Sequence, residues 1–192
     1  METSDSLLER LRARSDEAAW QRLDKLYRPL ILRWLRRDPT LGDEAEDLVQ
    51  EVMAVLVREL PDFHRERAGS FRCWLRTVTL HRLQAYWRSR QHRPASLNNS
   101  SADSLLAQLA DPASELSRQW DREHDQHVMQ RLLELIEPEF TPTTWKAFCR
   151  LFLDRAKAAE VAAELGLSES AILTAKSRVL KRLRQEGQGL LD

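Results

Sequence analysis

In segment after segment of this chain, apolar residues recur three and four places apart. Trp20, Leu23, Tyr27, Leu30, Ile31 and Trp34 form one such stripe, and Ala45, Leu48, Val52, Val55 and Leu56 form another. This spacing lays apolar groups along one face of a helix, where a strand would alternate them. Only 5 glycines occur in 192 residues, and 42% of the chain is apolar, enough to build a core in one or two small domains. The expected fold is all-α. Two small helical domains, residues 1–93 and 126–188, are joined by a flexible linker over residues 94–125.

Caps and breakers divide the pattern. Ser4 and Asp5 suit the start of a short helix over 6–13, and Ser15 with Asp16 the start of a longer one. Pro29 removes a donor inside that second helix and predicts a kink, and Asp38-Pro39 ends it. A third helix starts at Asp43 and stops at Leu60-Pro61; a fourth runs from Ser70, as cap, to about Arg90. Residues 94–125 are rich in Ser, Asn, Asp and Pro and lack a sustained apolar period, which reads as linker with a helical turn near 105–109. Beyond it, helices are expected over about 127–136, from Pro142 behind a Thr141 cap, and near 157–165 and 169–186. The Pro142 helix is expected to bury Trp145, Phe148, Leu151 and Phe152.

Charge is sorted along the first half. Residues 43–62 hold seven acids against Arg58, a net of −6, and residues 63–93 hold eight arginines against Glu66, a net of +7. An acidic helix is followed directly by a basic, aromatic one in a chain of net charge +0. Two adjacent surfaces of opposite sign suit two partners, a basic protein surface and a nucleic acid.

Several classes are disfavoured. No apolar run reaches membrane-spanning length, and the charged N-terminus does not resemble a signal peptide, so a cytoplasmic location without membrane insertion is expected. Cys73 and Cys149 lie in apolar helical patterns and are expected as reduced, buried thiols. No phosphate-binding glycine loop, serine elbow or paired-histidine zinc motif occurs, so no enzyme and no cofactor is expected. Glu123, His124 and His127, with Cys149, could be drawn as a metal site; histidines in a charged helix start are more often solvated, and no metal is expected.

Residues 158–177, AAEVAAELGLSESAILTAKS, have the spacing of a helix-turn-helix. Val161, Leu165 and the small Ala162 face the core, Gly166 supplies a left-handed turn, Leu167 plugs it, and Ser168 caps the second helix. Ile172, Ala175, Val179 and Leu183 form the inner stripe. The opposite face offers Ser170, Thr174, Ser177, Arg178 and Lys181, flanked by Arg182 and Arg184: short polar and cationic groups of the kind that read a major groove. Lys176 lies near the inner stripe and is expected to snorkel.

The succession AEDLVQEVM, GSFRCWLRTVTLHRLQAYWR, linker and AKSRVLKRLRQE resembles a sigma-70 family RNA polymerase sigma factor of the extracytoplasmic-function group, which keeps regions 2 and 4. DLVQE (47–51) and GSFRCWL (69–75) carry most of the likeness. It implies that Asp47, Gln50 and Glu51 bind the β′ clamp helices of core RNA polymerase, with the β flap and an anti-sigma factor as further partners. It implies that residues 61–90 recognise and melt the −10 element, with Arg67, Ser70, Phe71, Arg72, Trp74, Arg76, Arg82 and Arg88 at the DNA. Phe71 and Trp74 share a face with Val78 and are expected to pack as well. For the −35 duplex it implies region 4, where the helical wheel offers Ser168, Ser170, Thr174, Ser177, Arg178, Lys181 and Arg182. Two departures stand out: His81 occupies a position where many relatives have asparagine, and Lys176-Ser177-Arg178 lies a turn later than usual. The competing reading is a helix-turn-helix regulator that never acts as a sigma subunit.

Overall fold

The computed structural model describes residues 6–12, 16–64, 70–91 and 100–191, apart from the side chains of residues 70, 90, 91, 100–103 and 105. Every regular element among the described residues is helical: α1 (Leu7–Arg12), α2 (Glu17–Leu35), α3 (Glu44–Glu59), α4 (Ser70–Gln91), α5 (Ser100–Ala110), α6 (Glu115–Ile136), α7 (Pro142–Phe152), α8 (Ala158–Leu165) and α9 (Glu169–Glu186). The chain divides into two compact units, a first built on residues 7–128 and a second on residues 129–188.

In the first unit, Asp16 joins α1 to α2. Its carboxylate accepts the Ala19 amide at 2.9 Å, capping α2, and also takes the Arg10 guanidinium at 2.8 Å. Pro29 lies within α2 without ending it. The inner stripe of α2 (Leu23, Tyr27, Leu30, Ile31, Trp34) and that of α3 (Ala45, Leu48, Val52, Val55, Leu56) are buried as their spacing predicts, except that Trp20 at the start of the α2 stripe is half-buried, and α4 adds Phe71, Leu75 and Val78. Tyr27 is a hub of this core, its ring centroid 5.3 Å from Phe71 and 5.7 Å from His124.

The region read as a linker folds differently from the expectation. From residue 100 onward it forms α5 and the first part of α6, and Trp120, His124 and His127 of α6 are buried in the first unit. Asp111, Ser114 and Ser117, which made it look like linker, bond the backbone where α5 ends and α6 begins. Ser114 Oγ accepts the Ser117 amide at 3.0 Å, while its hydroxyl donates to the Gln108 carbonyl, so one residue starts α6 and closes α5. Trp120 then packs on Trp34, centroids 4.8 Å apart. The two histidines, expected in solvent, are core residues. Tyr27 O–H lies 3.4 Å from His124 Nε2, His124 Nδ1 lies 3.0 Å from Asp125, and His127 Nε2 lies 2.7 Å from the Leu26 carbonyl. The His124 ring thus links Tyr27 to Asp125 through its two nitrogens.

In the second unit, Thr141 caps α7 by accepting the Thr144 amide at 3.3 Å. Ala147, Val161, Ala162 and Ile172 form a cluster on which Leu151, Ala156, Leu165 and Ala175 pack. Of the four α7 residues expected inside, only Phe148 is fully buried; Trp145 and Leu151 are half-buried and Phe152 is exposed. Gly166 adopts φ 65°, closing α8 in the left-handed region. Leu167 does not plug the turn: its side chain is 42% exposed, and its amide donates to Ala162 instead. Ser168 caps α9 by accepting the Ala171 amide at 3.2 Å.

Candidate polymerase and nucleic-acid surfaces

The outward stripe of α3 comprises Asp47, Gln50, Glu51, Ala54 and Arg58, all exposed as the helical period requires. Among the described residues neither Asp47 nor Glu51 has an ion-pair partner, whereas Glu46 binds Arg36 at 2.9 Å. Glu44, Glu46 and Asp47 in the first turn favour the helix itself through its dipole. Val57 shares the stripe and is 53% exposed. Sequence reasoning passed over it, although its position seven residues after Gln50 sets it at the edge of the same face.

On α4 the expected DNA residues separate into three groups. Phe71 is fully buried against Tyr27, Phe63 and Trp74, so it supports the surface rather than forming it. Arg72 and Arg76 are held by acids of α6. Arg72 donates to Asp125 at 2.9 and 3.2 Å; Arg76, 6% exposed, donates to Asp121 at 3.0 Å. In this structure the Phe71 ring is inside the core, as its shared face with Val78 predicts, and both guanidiniums are paired with carboxylates. Trp74 is half-buried with its ring 5.0 Å from Phe63, Arg82 is half-buried, and Arg88 and His81 are exposed. Tyr86 and Trp87 meet edge to face at 5.2 Å, both half-buried. Arg67 lies outside the described residues, and Ser70 opens α4 with its side chain outside them.

Two polar groups beside His124 are shifted by their surroundings. Burial pushes the Tyr27 hydroxyl well above its ordinary range. Burial also pushes the Asp125 carboxyl upward, but its hydrogen bond from His124 and the Arg72 guanidinium outweigh that and hold it below the ordinary value.

In the second unit, Ser170, Thr174, Ser177, Arg178 and Lys181 of α9 are exposed and, with Leu173, line one shallow groove. Ser168 spends its hydroxyl oxygen on the cap. Arg182 is also occupied: it donates to Glu139 at 2.7 and 2.9 Å and to the buried Glu186 at 2.8 Å. Those carboxylates raise its affinity for its proton further. Leu173 is the member of this face that sequence reasoning missed.

Residues 23–93 match the family model described as Sigma-70 region 2. The matched residues all lie in the first unit. That match runs from the core stripe of α2 through the acidic stripe of α3 to the end of the basic α4, so it takes in both surfaces of the charge reversal. The chain is also similar to a probable RNA polymerase sigma factor, RfaY, of Xanthomonas campestris pv. campestris: 27% identity over 143 residues, which is 74% of this chain and 34% of that relative. The chain thus spans about a third of the length of the curated relative it matches. Among the described residues no group of three or more His, Cys, Asp or Glu side chains is arranged to hold a metal ion, and no helix is long and apolar enough to cross a membrane. Cys73 and Cys149 are half-buried free thiols rather than fully buried ones.

Proposed function

We propose that this chain is a sigma factor of the extracytoplasmic-function group, acting in the cytoplasm without catalytic chemistry or cofactor of its own. It binds core RNA polymerase, with the β′ clamp helices meeting Asp47, Gln50 and Glu51 and the β flap as a second contact, and directs the enzyme to promoters. The observation that carries this reading is the coincidence of the region 2 match with an acidic stripe whose Asp47 and Glu51 have no ion-pair partner among the described residues, directly followed in the chain by a basic helix. Charges left exposed and unpaired in this way suit a cationic partner.

Promoter opening then falls to the basic helix. Separating strands costs a few kcal/mol per unstacked base, and an aromatic platform returns roughly 1–3 kcal/mol per base. Trp74, Tyr86 and Trp87 supply partly exposed rings, while Arg82, Arg88 and Arg67 supply cations for phosphates. Phe71, Arg72 and Arg76 position α4, and Ser70 begins it. The −35 duplex is read by α9 through Ser170, Thr174, Ser177, Arg178 and Lys181, with Ser168 and Arg182 setting the helix in place. An anti-sigma factor is a partner of the kind such proteins have. A helix-turn-helix regulator that is not a sigma subunit accounts for α8 and α9 and leaves the region 2 match without a role.

Co-purification tests the polymerase contact. The full chain should retain core RNA polymerase, and joint reversal of Asp47→Lys and Glu51→Lys should weaken that binding tenfold or more, at about 1.4 kcal/mol per factor of ten. Undiminished retention of core by the double variant contradicts this assignment.

A further inference from the structure

The polar face of α9 carries one large apolar side chain. Leu173 is 51% exposed and lines the same groove as Ser170, Thr174, Ser177, Arg178 and Lys181. It directly follows the fully buried Ile172, so the helical period turns it away from the inner stripe. A single exposed leucine is ordinary on a protein surface. This one is set among groups that all suit a polyanion with hydrogen-bonding edges, and the next residue narrows what it meets. The Thr174 hydroxyl donates to the Ser170 carbonyl at 2.8 Å, so toward a ligand its oxygen can only accept. The groove thus offers an apolar surface beside a hydrogen-bond acceptor. In a major groove, thymine presents a C5-methyl and its paired adenine presents an N6 amine, whereas a G·C pair presents no methyl.

We propose that Leu173 selects thymine in the duplex read by α9, packing on the C5-methyl while Thr174 Oγ1 accepts from an adenine amine in the same or the adjoining pair. This rests on the reading of α9 as the duplex-reading helix and adds the identity of a base. The test uses holoenzyme assembled from the full chain and core RNA polymerase, on a promoter duplex identified by run-off transcription. Each thymine of the upstream element, on either strand, is replaced in turn by deoxyuridine, which removes only the methyl. One replacement weakens binding by the wild-type holoenzyme about fourfold, the worth of one buried methyl group, and leaves Leu173→Ala unaffected. Leu173→Met, which keeps an apolar side chain, retains the sensitivity. Leu173 is exposed and alanine favours helix, so all variants fold. Identical replacement profiles for wild type and Leu173→Ala overturn the proposal, as does an upstream element without thymine. If Arg178→Ala with Lys181→Ala leaves upstream binding and its salt dependence unchanged, it is the reading of α9 itself that fails.

Discussion

Arg178 and Arg182 stand one turn apart on α9 with identical side chains and opposite circumstances. Arg178 is exposed in the groove, while Arg182 is bound by Glu139 and by Glu186, a carboxylate 1% exposed. Replacing each by alanine separates the two roles. Arg178→Ala should lower the salt dependence of promoter-duplex binding by about one unit of slope, as expected for one lost phosphate contact, and leave thermal stability unchanged. Arg182→Ala should keep the slope and cost about 2–3 kcal/mol of stability, because it strips a buried carboxylate of a charged donor. Titration in salt and thermal denaturation read the two effects independently. The exposed half of this face was legible from the helical wheel. The commitment of Arg182 was not, since Glu139 lies 43 residues away and no local pattern announces such a pair.

At the scale of elements, α6 departs most from what the sequence suggests. Its first part carries Asp121, Glu123 and Asp125, which hold Arg76, Arg37 and Arg72, while Trp120 and His124 fill the core behind them. Composition could not reveal this, because Ser114 and Ser117 count as linker residues until their hydroxyls are seen capping α5 and α6. The helices before it were legible because their apolar stripes are continuous and their caps adjacent in sequence. Asp121→Asn with Asp125→Asn should cost about 3 kcal/mol, since Arg76 is buried and would lose its counter-charge, and differential scanning calorimetry measures it. Acid acts in the same direction. Asp125 is held below its ordinary 3.8, so its contribution is full above that value and disappears as pH falls through the depressed one. Wild type should therefore lose stability below about pH 4 more steeply than Asp125→Asn, whose side chain does not titrate.

For the whole molecule, the sorting of charge distributes work between surfaces. The acidic stripe of α3 and the basic α4 lie in the first unit, and the groove-lining helix α9 lies in the second, so the proposed partners would each meet a separate surface. Run-off transcription with purified chain and core RNA polymerase on genomic fragments tests the sigma role most directly. The expected result is discrete transcripts that start at defined positions, require the chain, and vanish with Asp47→Lys and Glu51→Lys. Core enzyme that remains active on a nonspecific template yet starts at no defined position when the chain is added would contradict it.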